Sequence, residues 1–180
     1  GQAADRVQIK TFIDAAHAAG LKAMLDPGSP VNNEFNIEKA CEDGLDYMLI
    51  QAMGQQTSMT QWLNFTVPKI AAARKGFATA GHANYPVGVV GSVSVRVERP
   101  SGGYPCGTAS DPLIGADITA RDPQHMIDLI KALQVHPQAK LNGGRVFYGI
   151  PAADGLPRDP PCVDIPRLIK FNELFNQQLR

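Results

Sequence analysis

At 180 residues the chain suits one domain of ordinary size, but falls short of the roughly 250 that a closed eight-stranded α/β barrel takes. Its 17 Lys plus Arg balance 17 Asp plus Glu. That excludes a nucleic-acid binder held by phosphate neutralisation, a polybasic membrane-surface protein and an acidic disordered tail. Hydrophobic residues make up 44% of the chain, with no uninterrupted apolar run of about eighteen, the composition of a soluble globular protein without a membrane span.

The first predicted helix follows Asp5 and carries Ile9, Phe12, Ile13 and Ala16 at the i, i+3, i+4, i+7 spacing of an inner face, with Gly20 as its stop. Residues 21–25 read as a short buried strand ended by the turn cluster Asp26-Pro27-Gly28-Ser29-Pro30. Asn36 caps a short helix with Ile37, Ala40 and Cys41 inside and Gly44 at its end, and Cys41 reads as a buried small apolar residue. Residues 45–52 form a second strand, nearly continuous in apolar character and so patterned for cover on both faces. A helical region over 58–79 carries Met59, Trp62 and Leu63, then Ile70 and Phe77. Pro68 inside it predicts a kink or a fresh start. Trp62 reads as core.

Residues 87–97 are the clearest strand, strictly alternating in their second half, and a long Pro/Gly/Ser-rich loop over 98–116 follows. Asp122-Pro123 opens the next helix, whose inner face is Met126, Ile127, Ile130 and Leu133. Residues 145–150 make a fourth strand. A second Pro-rich loop over 151–165 leads to a last helix opened by Pro166 and carrying Leu168, Phe171, Leu174 and Phe175.

Alternation of this kind predicts an α/β fold of parallel βα repeats, with four strands and about five helices in a partial or open barrel-like array. The reading is a single domain over 1–180, or a fragment or half of a larger barrel. The leading helix has no strand before it. Self-association or a missing segment would supply one.

In parallel α/β folds function collects at the carboxyl ends of the strands, which reduces the chain to a short set of candidates. Asp26 follows the first strand, Gln51 and Gln55 the second, Arg96 and Glu98 the third, and Tyr148 the fourth. Asp26 and Glu98 are the candidate carboxylate pair; Gln51, Gln55, Arg96 and Tyr148 are the candidate substrate contacts. Each has a plainer reading beside it: Asp26 as a turn cap, Gln51 bonding loop backbone, Glu98 pairing with a neighbouring arginine, Tyr148 as a core aromatic. His17 reads as a surface or interhelix residue, and His82, His125 and His136 as facing away from the strand ends. The sequence has no GxSxG, no GxGxxG after a strand, no phosphate-binding GxxxxGK[ST], and no CxxC or HExxH. A nucleotide enzyme is disfavoured and neither a cofactor nor a metal is expected. Cys106 and Cys162 both lie in Pro/Gly-rich loops, either as a disulfide in an extracytoplasmic protein or as two free thiols in a cytosolic one.

The stretch from Ile13 through Ala19-Gly20 to Leu25-Asp26 resembles the helix, Ala-Gly, strand, Asp units of secreted (β/α)-barrel glycoside hydrolases. Leu45-Asp46-Tyr47-Met48-Leu49-Ile50-Gln51 and Gly144-Arg145-Val146-Phe147-Tyr148-Gly149 are similar to later strands of such proteins. The resemblance implies a secreted domain that acts on or binds a carbohydrate, or another uncharged ligand, through its βα loops. Hydrolysis would need two carboxyl groups flanking the scissile bond. The acidic pair clustered along one strand in chitinase-like barrels has no counterpart here. A non-catalytic glycan- or protein-binding domain of the same architecture is therefore the alternative.

Overall fold

The computed structural model describes residues 2–27, 36–52, 55–91, 93, 122–142, 145–147 and 165–179. Helices α1 (Gln2–Ala18), α2 (Ile37–Glu42), α3 (Met59–Thr79), α4 (Pro123–Val135) and α5 (Ile165–Gln178) alternate with strands β1 (Met24–Leu25), β2 (Tyr47–Gln51), β3 (Val87–Gly91) and β4 (Arg145–Phe147). The class is α/β. The strands predicted over 87–97 and 145–150 run, among the described residues, as far as Gly91 and Phe147.

Two compact units divide the chain. One comprises Gly1–Ala52, Leu63–Val90 and Leu133–Val146; the other comprises Met53–Trp62, Gly91–Ala132 and Phe147–Arg180.

In the first unit β1, β2 and β3 pair in parallel and in sequence order, with Leu25 beside Met48 and Ile50 beside Val89. β4 comes next to β3 in the strand order. Alternation sends Leu49 and Val90 to one face of the sheet and Met48, Ile50, Val87 and Val89 to the other. All six are at most 4% exposed, so β2 and β3 are covered on both faces, as their unbroken apolar runs require. Each such burial contributes roughly 1.5–3 kcal/mol.

The edge of the sheet behaves differently. The sequence predicts a buried strand over 21–25, yet β1 is two residues long, and Leu21 and Met24 are 64% and 54% exposed. α1 repeats the pattern: Ile13 is buried, but Phe12 on its predicted inner face is exposed, as is Val7. Among the described residues β1 has a strand neighbour on one side only, and an apolar pattern is buried only where a neighbour exists to bury it.

α1 packs beside α2, and α2 beside α3. The second contact is very close. A Cβ on Gly76 would stand 2.1 Å from the Glu38 carbonyl oxygen and 2.7 Å from the Cys41 Cβ, so only glycine lets the two helices meet there. Lys75 Nζ, 2.9 Å from Glu38 Oε1, closes the same interface. Asn36 caps α2 as expected, its Oδ1 accepting from the Lys39 N–H, and Gly20 and Gly44 adopt left-handed φ of 72° and 110° at the helix stops. α3 continues through Pro68 without a break. Pro68 and Asn64, whose carbonyl loses its partner, are both exposed, so water can satisfy that oxygen.

Two polar clamps hold the unit at its loops. The Asp46 carboxylate, just before β2, accepts from the Ala23 N–H at 2.9 Å, His17 Nε2 at 2.8 Å and Lys22 Nζ at 3.0 Å, which ties the end of α1 to β1. Burial alone would raise its pKa, but these three donors outweigh that and hold it at about 2. His17, read from the sequence as a surface or interhelix residue, is exposed, and its partner precedes a strand rather than lying on a helix. Arg74 donates to the carbonyls of Ala139 and Lys140 and to Asn142 Oδ1, at 2.9, 2.7 and 2.6 Å. The same Asn142 oxygen also accepts from the Val87 N–H at the start of β3.

In the second unit Trp62 is fully buried and donates Nε1–H to the Leu129 carbonyl at 3.1 Å. Met126, Ile127, Leu129 and Ile130 of α4 and Phe171 of α5 are buried with it. Asp122 caps α4, its Oδ1 accepting from the Gln124 and His125 N–H groups ahead of the rest of the helix. No helix among the described residues is long and apolar enough to cross a membrane.

Candidate functional site

The parallel sheet fixes which residues emerge at its carboxyl end. Asp26 directly follows β1 and is exposed; Gln51 is the last residue of β2 and half-buried. Met24 pairs with Tyr47 and Leu25 with Met48. Extending that register one residue sets Asp26 level with Leu49 and on the face that carries Gln51. Gln51 stands two residues further along, about 7 Å at the rise of a strand.

The two side chains differ chemically. Gln51 ends a strand otherwise occupied by Tyr47, Met48, Leu49 and Ile50, and no described residue hydrogen-bonds its amide. A half-buried carboxamide with both donors and its acceptor unused is uncommon, because buried polar groups are usually paired. The reading in which Gln51 bonds loop backbone is thus not what the described residues form.

In the second unit Gln55 lies in the loop between β2 and α3. Thr57 Oγ1 donates to Gln61 Oε1, and Gln61 Nε2 donates to Gln55 Oε1 at 3.2 Å. In this amide relay the Gln55 oxygen is occupied and its Nε2 group has no described partner. Gln56 is buried, and its backbone carbonyl accepts from His125 Nε2 at 2.8 Å.

His125, read from the sequence as facing away from the strand ends, lies three residues after the Asp122 cap, in the first turn of α4. Within the second unit its ring meets the Gln56 loop backbone. Trp62 is core, as read from the sequence, and has no face for a ligand.

Arg96, Glu98, Cys106, Tyr148 and Cys162 lie outside the described residues. Cys41 is a buried free thiol, its pKa pushed up to about 12 by burial. Among the described residues no three of His, Cys, Asp and Glu come together as a metal set. No protein-family model, curated protein or solved structure matches the chain.

Proposed function

We propose that this is a glycoside-hydrolase-like domain that takes an uncharged carbohydrate at the loops following its parallel strands. The observation that carries the proposal is Gln51, a half-buried carboxamide at the carboxyl end of β2 with no described partner. Neutral amides that donate and accept are the groups that recognise sugar hydroxyls. The strand order supports a barrel-like array. β1, β2 and β3 follow one another without reversal, and α1, α2 and α3 neighbour one another in turn. A doubly wound sheet instead reverses its order at a switch point.

Asp26 and Glu98 are the candidate carboxylates for hydrolysis. The exposure of Asp26, just past a two-residue edge strand, favours the non-catalytic form of the same reading, since a glycosidase acid works in a sheltered pocket. Secretion belongs to the proposal through Cys106 and Cys162. An intact mass lower by two hydrogens without reductant would support it.

The test titrates the protein with cellotetraose, xylotetraose, maltotetraose and chitotetraose by calorimetry, and follows reducing-end release. At least one saccharide should bind, and Gln51→Leu should weaken it roughly three- to tenfold, the worth of one hydrogen bond. Reducing ends released by wild type but not by Asp26→Asn or Glu98→Gln would establish hydrolysis. Binding without release would leave the non-catalytic form. Failure of all four to bind would refute the reading.

A further inference from the structure

We infer that Gln55 and His125 form a donor and acceptor pair for ligand hydroxyls, with His125 acting through Nδ1; the inference rests on the carbohydrate reading above. Both flank Gln56, and each already makes a hydrogen bond that leaves part of its polar group for a ligand. A carbonyl oxygen can only accept, so the 2.8 Å contact to Gln56 O requires a proton on His125 Nε2. In neutral imidazole that leaves Nδ1 unprotonated, an acceptor to which no described residue donates. Gln55 is the converse. Its Oε1 accepts from Gln61 Nε2, itself held by Thr57 through Gln61 Oε1. What remains of its carboxamide is the Nε2 group, two donors with no described acceptor.

Each member of the pair is held separately by its neighbours. His125 is anchored at both ends, its own N–H bonded to the Asp122 cap and its ring to the loop backbone. Gln55 is anchored through the first turn of α3, where the Gln61 N–H bonds Ser58 Oγ at 3.2 Å. A hydroxyl both donates and accepts, so a polyhydroxylated ligand can satisfy Nδ1 and Nε2 together. Hydroxylated ligands fit both groups as they stand, whereas an ammonium offers Gln55 no acceptor.

The experiment separates binding from scaffolding. His125→Gln can keep the donor to the Gln56 carbonyl but has no counterpart of Nδ1. Gln55→Glu keeps the oxygen that Gln61 bonds and turns the free donor into an acceptor. Each variant is titrated with the same four tetrasaccharides, its fold checked by far-ultraviolet circular dichroism and the fluorescence of Trp62, the one tryptophan. Each should lose roughly three- to tenfold in affinity for whichever saccharide wild type binds. In protein labelled with ¹⁵N-histidine, the resonance absent from His125→Gln should show the Nε2–H tautomer, and its Nδ1 signal should move when that saccharide is added. Wild-type affinity in folded His125→Gln, with an unmoved Nδ1 signal, would overturn this inference and leave the carbohydrate reading standing. Failure of wild type to bind any of the four would overturn both.

Discussion

One methyl group placed at Gly76 would test the α2–α3 contact directly. The Cβ of Gly76→Ala would lie 2.1 Å from the Glu38 oxygen, 2.9 Å from the Glu38 carbonyl carbon and 2.7 Å from the Cys41 Cβ. None of these atoms is the free end of a flexible side chain, so the helices themselves must part. Restoring an ordinary contact of 3.4 Å to the nearest atom takes a shift of about 1.3 Å. Overpacking typically costs about 1–3 kcal/mol, and a displacement that large belongs at the upper end. Alanine returns about 1 kcal/mol through helix propensity. The balance is a loss of about 2 kcal/mol, or a fall in Tm of roughly 4–8 °C for a chain of this size. Urea unfolding followed by circular dichroism measures it, with an expected fall in midpoint on the order of 1 M. A gain of about 1 kcal/mol, the value for an unhindered helical glycine, would refute the argument.

Three other outcomes follow from the clamps and the core. The depressed Asp46 pKa makes its stabilisation complete above about pH 4 and lost as pH falls through about 2. Wild type should therefore lose more stability over that window than Asp46→Asn, and parallel acid-denaturation curves would show that the carboxylate contributes nothing. Arg74→Lys keeps the charge but cannot reach two carbonyls and the Asn142 amide at once. It should cost about 1–2 kcal/mol in urea unfolding, whereas an unchanged midpoint would make the fork dispensable. With Cys106 and Cys162 changed to serine, Cys41 should react with a thiol reagent only after denaturant is added, since burial keeps its thiol protonated. Prompt labelling of the native protein would contradict its position.

Local rules read the elements well and their surroundings poorly. Asn36, Gly20, Gly44 and the Asp122-Pro123 pair act through the backbone within a few residues, so they set helix ends where the pattern places them. The apolar run of β2 correctly implies cover on both faces. α1 and β1 fail because periodicity marks which residues could be buried, not whether a neighbour stands opposite. Phe12 and Met24 carry the pattern and remain exposed. Gly76 shows the converse. Nothing in Ala-Arg-Lys-Gly-Phe announces a helix contact, because the atoms that exclude a side chain belong to Glu38 and Cys41, far back in the chain.

At the candidate site the sequence yields positions but not polarity. Asp26, Gln51 and Gln55 follow from the rule that parallel strands deliver function at their carboxyl ends. Which groups of those residues remain for a ligand depends on bonds made elsewhere. Gln61 donates to the oxygen of Gln55, the Gln56 carbonyl accepts from His125 Nε2, and the Gln51 amide has no described hydrogen bond. The Gln51 and Gln55 side chains are uncharged amides. An anion beside the Gln51 amide would leave its charge uncompensated, at a desolvation cost the amide cannot offset. A hydroxyl exchanges bonds to water for bonds to the amide at far smaller cost, and that asymmetry is the physical reason for preferring a sugar over an anion.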